Sequence, residues 1–187
     1  MNQLISTKRP QQEEYKDIKV MADPGVHASV AEELVKLFPE GAKVLEIGAG
    51  AGALTKRLLD LGFEVCPVDI DINNFKVTEV EIKKVCVSDK LSEVFAGEKF
   101  DVIVAVEVIE HVRSTYGLME DVKKLLLSKG KLFVTTPNIS SLYSRIVFLK
   151  EGRFYHFQGK DSWEMGHINP VPFFVIEQTA SELGYKQ

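Results

Sequence analysis

Cysteine is scarce in this chain: Cys66 and Cys86 are its only two, each inside an apolar run. Two thiols so placed build no disulfide framework, and the expectation is a pair of reduced, buried thiols in a cytoplasmic protein. Long apolar runs are lacking as well. No window approaches the roughly 18 consecutive apolar residues that a membrane-spanning helix needs, and residues 1–9 lack the apolar centre of a secretory signal. Nor is there a surplus of positive charge. Lysine and arginine total 23 against 27 aspartates and glutamates, a formal net charge of -4 with a pI of about 5.6. Such a chain has no summed positive field to hold a phosphate backbone, so general nucleic-acid binding is disfavoured. The sequence has no internal repeat, and no low-complexity segment beyond its polar opening.

What is present suits a globular enzyme-sized domain: 187 residues, 45% of them hydrophobic, enough for one sizeable core. Residues 1–21 read as a flexible polar arm and residues 22–187 as the folded domain. Apolar positions at helical spacing predict a helix over 26–38, after the turn signal Asp23-Pro24-Gly25. A short apolar run predicts a buried strand over 43–47, and a helix follows over 53–61, stopped by Gly62. The rhythm repeats with a strand over 63–70, a short helix around 73–80 and a weaker strand over 82–87. A strong strand over 100–106, a helix over 109–127 and a fifth strand over 130–136 come next. The remainder reads as a helix over 139–149, an irregular stretch, and a last helix over 173–183 capped by Gly184. Residues 138–172 are too long for a plain connection and read as a substrate-side lid. Strands alternating with helices predict an α/β, Rossmann-like parallel sheet with helices on both faces. Right-handed crossovers bring every strand's C-terminal end to one rim, where a ligand belongs beside the first strand.

That first strand ends in Glu46-Ile47-Gly48-Ala49-Gly50-Ala51-Gly52. Glycines at such a turn let a ligand approach bare backbone. A carboxylate beside them suits a ligand carrying an ammonium and a sulfonium better than one carrying phosphates, which points to S-adenosylmethionine. The looser dinucleotide fingerprint, Gly48-x-Gly50-x-x-Ala53, is also satisfied, so a nicotinamide oxidoreductase stays open on the turn alone.

The turn, then Val68-Asp69-Ile70-Asp71, then the run from Phe100 to Glu107-Val108-Ile109-Glu110-His111 together resemble a class I S-adenosylmethionine-dependent methyltransferase. Phe133-Val134-Thr135-Thr136-Pro137-Asn138 and Gly166-His167-Ile168-Asn169-Pro170 are similar to a small-molecule branch near the ubiquinone-biosynthesis and methionine-biosynthesis-associated methyltransferases. The resemblance spans residues 22–185. It implies that Gly48, Gly50 and Gly52 face the methionine portion of the cofactor, with Glu46 near its ammonium. Asp69 would accept the ribose hydroxyls, Ile70 would pack on the adenine, and Asp89 would accept from the adenine amino group. His111 is the expected base, with Glu107 beside it, acting on a small-molecule acceptor at oxygen. His27, His156, His167, Tyr155, Phe157 and Trp163 are candidates for the substrate wall.

No metal is expected. Yet Glu107, Glu110 and His111, at i, i+3 and i+4 of the expected helix, would share one face, and His167 could complete a set like that of metal-dependent RNA 3′-end methyltransferases. Members of the fold normally continue into two further strands after the last helix, for which no residues remain here. The fifth strand would then be an exposed edge where a second copy or a protein partner could sit. A non-catalytic, cofactor-binding partner protein is the alternative that this feature raises.

Overall fold

A computed structural model describes residues 12–159, 164 and 166–186. Its main sheet has five parallel strands: β3 (Lys43–Ile47), β4 (Glu64–Asp69), β5 (Lys83–Lys84), β6 (Phe100–Val106) and β7 (Leu126–Thr135); β3 and β6 form where apolar runs are bounded by turn residues, whereas β5 is an exposed lysine pair. Their order is β5-β4-β3-β6-β7. The chain therefore winds outward from β3 in one direction, returns, and winds outward in the other. This places a topological switch point between β3 and β6, the position at which ligands bind in sheets of this kind. Alternation along β6 divides the core. Val102, Val104 and Val106 face one layer with α1 (Val26–Leu37) and α2 (Ala53–Asp60). Ile103 and Ala105 face the other, packed with Leu91 and Phe95 and with Leu118 and Val122 of α4 (Thr115–Lys123).

Several elements differ from the sequence reading, each for a visible reason. Residues 12–21, expected within a flexible arm, carry a hairpin, β1 (Glu14–Tyr15) and β2 (Ile18–Lys19), turned through left-handed Lys16 and Asp17. Its Ile18 and Val20 are buried against Ala51, Ala53 and Val77. Residues 1–11 lie outside the described part. The helix expected around 73–80 is a loop, because Asp71 Oδ1 accepts from both the backbone and side-chain amides of Asn73, a local turn that competes with helix. The third strand shrinks to its two residues beside β4.

The helix expected over 109–127 divides. A 3₁₀ turn (Ile109–His111) comes first, and α4 restarts where the Ser114 hydroxyl accepts from the Gly117 amide at 2.9 Å. Leu126 is already paired with Phe100, so β7 begins four residues before the expected strand, with a register irregularity between Phe100 and Val102. The short α3 (Leu91–Val94) precedes β6. Two further helices are α5 (Leu142–Glu151), capped by Ser141 and Gly152, and α6 (Phe173–Glu182). Among the described residues β7 pairs only with β6 and forms one edge of the sheet, and no helix is long and apolar enough to cross a membrane.

Candidate active site

The turn after β3 is tied to its neighbour strand. Gly48 and Ala49 both donate to the Val68 carbonyl, at 2.9 and 3.1 Å, and Gly52 opens α2. Space beyond the missing side chains is used by the protein itself. A Cβ on Gly48 would fall 2.6 Å from Val108 Cγ2, and one on Gly52 2.6 Å from Val77 Cγ2. At Gly50 the nearest neighbour is the flexible Met21 side chain, whose sulfur would lie 2.9 Å away. Asp69, at the end of β4, reaches across: its Oδ2 accepts from the Gly50 amide at 2.8 Å and its Oδ1 from the Asp71 amide at 2.9 Å. Ile70 follows it and is 59% exposed, open to a flat partner. Asp89 is exposed in the turn before α3.

Glu46 is buried beneath this turn, accepting from the Thr55 hydroxyl at 2.6 Å. Burial pushes its pKa up to about 8; the Thr55 hydrogen bonds oppose this and the Asp69 charge adds to it. At neutral pH the carboxyl is therefore mostly protonated.

Beside the turn, at the C-terminal ends of β6 and β7, lies a cavity of about 440 Å³. The start of α1 (Asp23, Gly25, Ser29) forms one wall; Glu107, Thr135 and Asn138 form another. Glu107 does not sit on a helix as the i, i+3, i+4 reading required. It occupies a left-handed conformation at φ 54° directly after β6, a strained geometry for a non-glycine residue. Thr135 holds it there: the Glu107 amide donates to the Thr135 hydroxyl at 3.1 Å, and that hydroxyl donates to Glu107 Oε1 at 2.8 Å. Burial raises the Glu107 pKa, the Thr135 bond opposes this, and Asp23 adds to the rise.

Glu110 and His111 are consecutive in the 3₁₀ turn. Glu110 has 0% exposure, and neither carboxylate oxygen has a hydrogen-bond partner among the described residues. Burial lifts its pKa to about 7, with Glu107 contributing to the rise. The Glu110 carbonyl accepts from Ile168 and Asn169 at 2.9 and 3.0 Å, and Asn169 Nδ2 donates to the Val112 carbonyl at 3.2 Å. The 166–170 loop is thus stitched onto the turn. It brings His167 to His111, ring centres 4.8 Å apart and edge to face.

His167 donates from Nδ1 to the His156 carbonyl at 2.8 Å, which leaves the acceptor lone pair on Nε2. Burial and His167 together lower the His111 pKa, against the Gly166 backbone and Asp69. One ligand atom each from Glu110, His111 and His167 falls within 4.8 Å of the others, a spacing that can hold a metal ion; Glu107 is outside that group. Of the expected wall, His156 pairs with Asp23 at 3.9 Å. His27 is buried beside Arg57 and Glu13, and its pKa falls to about 4 through burial and the Arg57 charge. Trp163 lies outside the described residues. Sequence reading missed Asp23, Met21 and Thr135, which only the fold brings to the site.

The comparisons agree with this geometry. A methyltransferase domain family model matches residues 23–186. The ubiquinone biosynthesis O-methyltransferase of Bartonella quintana is 36% identical over 111 residues, covering 56% of this chain and 45% of that protein. The mitochondrial ubiquinone biosynthesis O-methyltransferase of Rattus norvegicus is 30% identical over 138 residues, covering 66% and 39%. The chain thus spans less than half the length of these relatives. Among solved structures, a SAM dependent methyltransferase from Archaeoglobus fulgidus superposes with TM-score 0.65 at 20% identity, covering 84% of this chain and 68% of that one. A plantazolicin methyltransferase crystallised with SAH gives 0.62 at 12% identity, covering 84% and 61%. The chain belongs to the methyltransferase domain family, on the class I S-adenosylmethionine-dependent fold.

Proposed function

We propose that this chain binds S-adenosylmethionine at the β3–β4 rim and directs its methyl group to an oxygen of a small-molecule acceptor in the adjoining cavity. One observation carries the cofactor choice. The Gly50 amide, which a pyrophosphate would need, is already given to the Asp69 carboxylate, and Glu46 lies beneath the same turn. The Asp69 carboxylate at the turn repels a dinucleotide's phosphates and suits a ligand with a ribose diol.

When bound, S-adenosylmethionine supplies an electrophilic methyl group for in-line displacement. The chain's own residues have three tasks. Asp69 accepts ribose hydroxyls while it keeps hold of the turn. Glu107, aimed by Thr135, accepts a hydrogen bond from the acceptor and orients it; alignment is the main contribution required of an enzyme in such a displacement. His111, whose lowered pKa keeps it neutral near pH 7, takes the acceptor's hydroxyl proton.

The relatives named for ubiquinone biosynthesis O-methylation support an oxygen acceptor of aromatic or quinone-like chemistry. Calorimetric titration with S-adenosylmethionine, S-adenosylhomocysteine and NAD tests the assignment. Micromolar binding of the first two alone is expected. Asp69→Ala should weaken that binding roughly 10- to 100-fold, the scale of a lost hydrogen bond to a charged group. Preferential NAD binding would overturn the reading.

The unpartnered Glu110 carboxylate favours a second reading, in which Glu110, His111 and His167 hold a divalent ion that binds the acceptor's oxygen. The two readings exclude one another at His111, because a lone pair given to a metal takes no proton. Titration with Mn²⁺ or Zn²⁺ separates them: binding heat in the wild type that is lost in Glu110→Gln supports the ion, and no heat in either leaves His111 as the base.

A further inference from the structure

Between the hairpin and α1 the chain crosses the glycine turn as a short strap. One end is fixed by Val20, fully buried against Ala51 and Val77, with its carbonyl accepting from Gln12 Nε2 at 2.9 Å. The other end is fixed by the Gly25 amide, which donates to Glu13 Oε2 at 2.7 Å. Between these anchors Met21 lays its thioether over Gly50, the one turn glycine whose side-chain space is not filled by the core or by the loop after β4. The residue is 61% exposed, so little burial holds it in place. Methionine, unbranched and freely rotating, is easily re-seated. The same Gly50 carries the Asp69 contact at 2.8 Å, so Met21 rests beside the residues to which the cofactor reading assigns the ribose and methionine portions.

Resting on the cofactor reading above, we propose that Met21 is the gate of the cofactor cleft: its thioether covers Gly50 in the free protein and swings into solvent when the ligand takes that place. The gate is a side chain rather than a domain, and its reach is limited by the two anchors. Asp23 and Gly25, further along the strap, also wall the acceptor cavity.

The test uses the full chain and S-adenosylhomocysteine. Calorimetry with the wild type comes first; no binding by a folded protein would overturn the cofactor reading and the gate with it. Where binding occurs, stopped-flow association is compared for wild type, Met21→Ala and Met21→Phe. A several-fold faster association for the alanine variant and a slower one for the phenylalanine variant are expected, while circular dichroism stays unchanged. In parallel, peroxide oxidation of Met21 is followed by peptide mass spectrometry, with buried Met119 as internal reference. Saturating ligand should speed Met21 oxidation toward that of a free methionine, a modest gain because the side chain is already 61% exposed. Equal association rates in all three proteins, or Met21 oxidation unchanged or slowed by ligand, would overturn the gate and leave the cofactor reading standing.

Discussion

Glu46 shows how far a single side chain can set the behaviour of the site. Its folded pKa of about 8 stands above the 4.5 of a free glutamate, so the folded protein holds a proton that the unfolded chain releases. The linkage sign follows: stability falls as pH rises from about 4.5 to about 8 and is level above that. Glu46→Gln removes this dependence. Its melting temperature relative to wild type should therefore climb between pH 5 and pH 8, as read by thermal denaturation at several pH values. A constant difference would mean that Glu46 is ionised in the folded state.

Gly48 allows a second residue-level test. Alanine there meets both a φ of 77° and Val108 Cγ2 at 2.6 Å, a cost of roughly 2–3 kcal/mol. In a Val108→Ala background the steric part disappears. The double-mutant cycle, measured by urea denaturation, should show the Gly48→Ala cost reduced by about 1 kcal/mol. Strict additivity would place the whole penalty in the backbone.

At the scale of elements, the parts legible in the sequence are those whose cause is local. β3, β6, α1 and α2 carry their own apolar periodicity, and Asp69 is found by its place at the end of the strand after the glycine turn. What failed to show needs contacts from elsewhere. The hairpin over 14–19 is polar in sequence and gains its burial from residues distant in the chain, Ala51, Ala53 and Val77 among them. The break after His111 follows from the loop 166–170, whose amides bond to the Glu110 carbonyl from more than fifty residues away in the chain. A helix continued through 107–111 would turn that carbonyl into its own ladder. Met21 and Thr135 were invisible for the same reason: neither residue type nor spacing announces that one will cover Gly50 and the other hold Glu107.

For the whole molecule, the open question is what faces β7. Among the described residues its backbone is paired on one side only, and Leu127 is 44% exposed along it. An edge of ten residues is an invitation to pair with another strand, and a second copy could accept it. Sedimentation velocity at rising concentration should show self-association, and Leu127→Lys should shift the population toward monomer. A wild type that stays monomeric throughout would remove the homo-oligomer.

The Asp69 contact with Gly50 has a consequence of another kind. On the proposed cofactor reading, the group that shapes the loop is also the group offered to the ligand's sugar, so architecture and recognition share one carboxylate. A lineage drifting toward a different nucleotide cannot exchange that acid without slackening the loop as well. Any viable route must therefore first find a new brace for Gly50, and that brace, more than a new sugar contact, is what a laboratory selection for altered cofactor use would be expected to enrich.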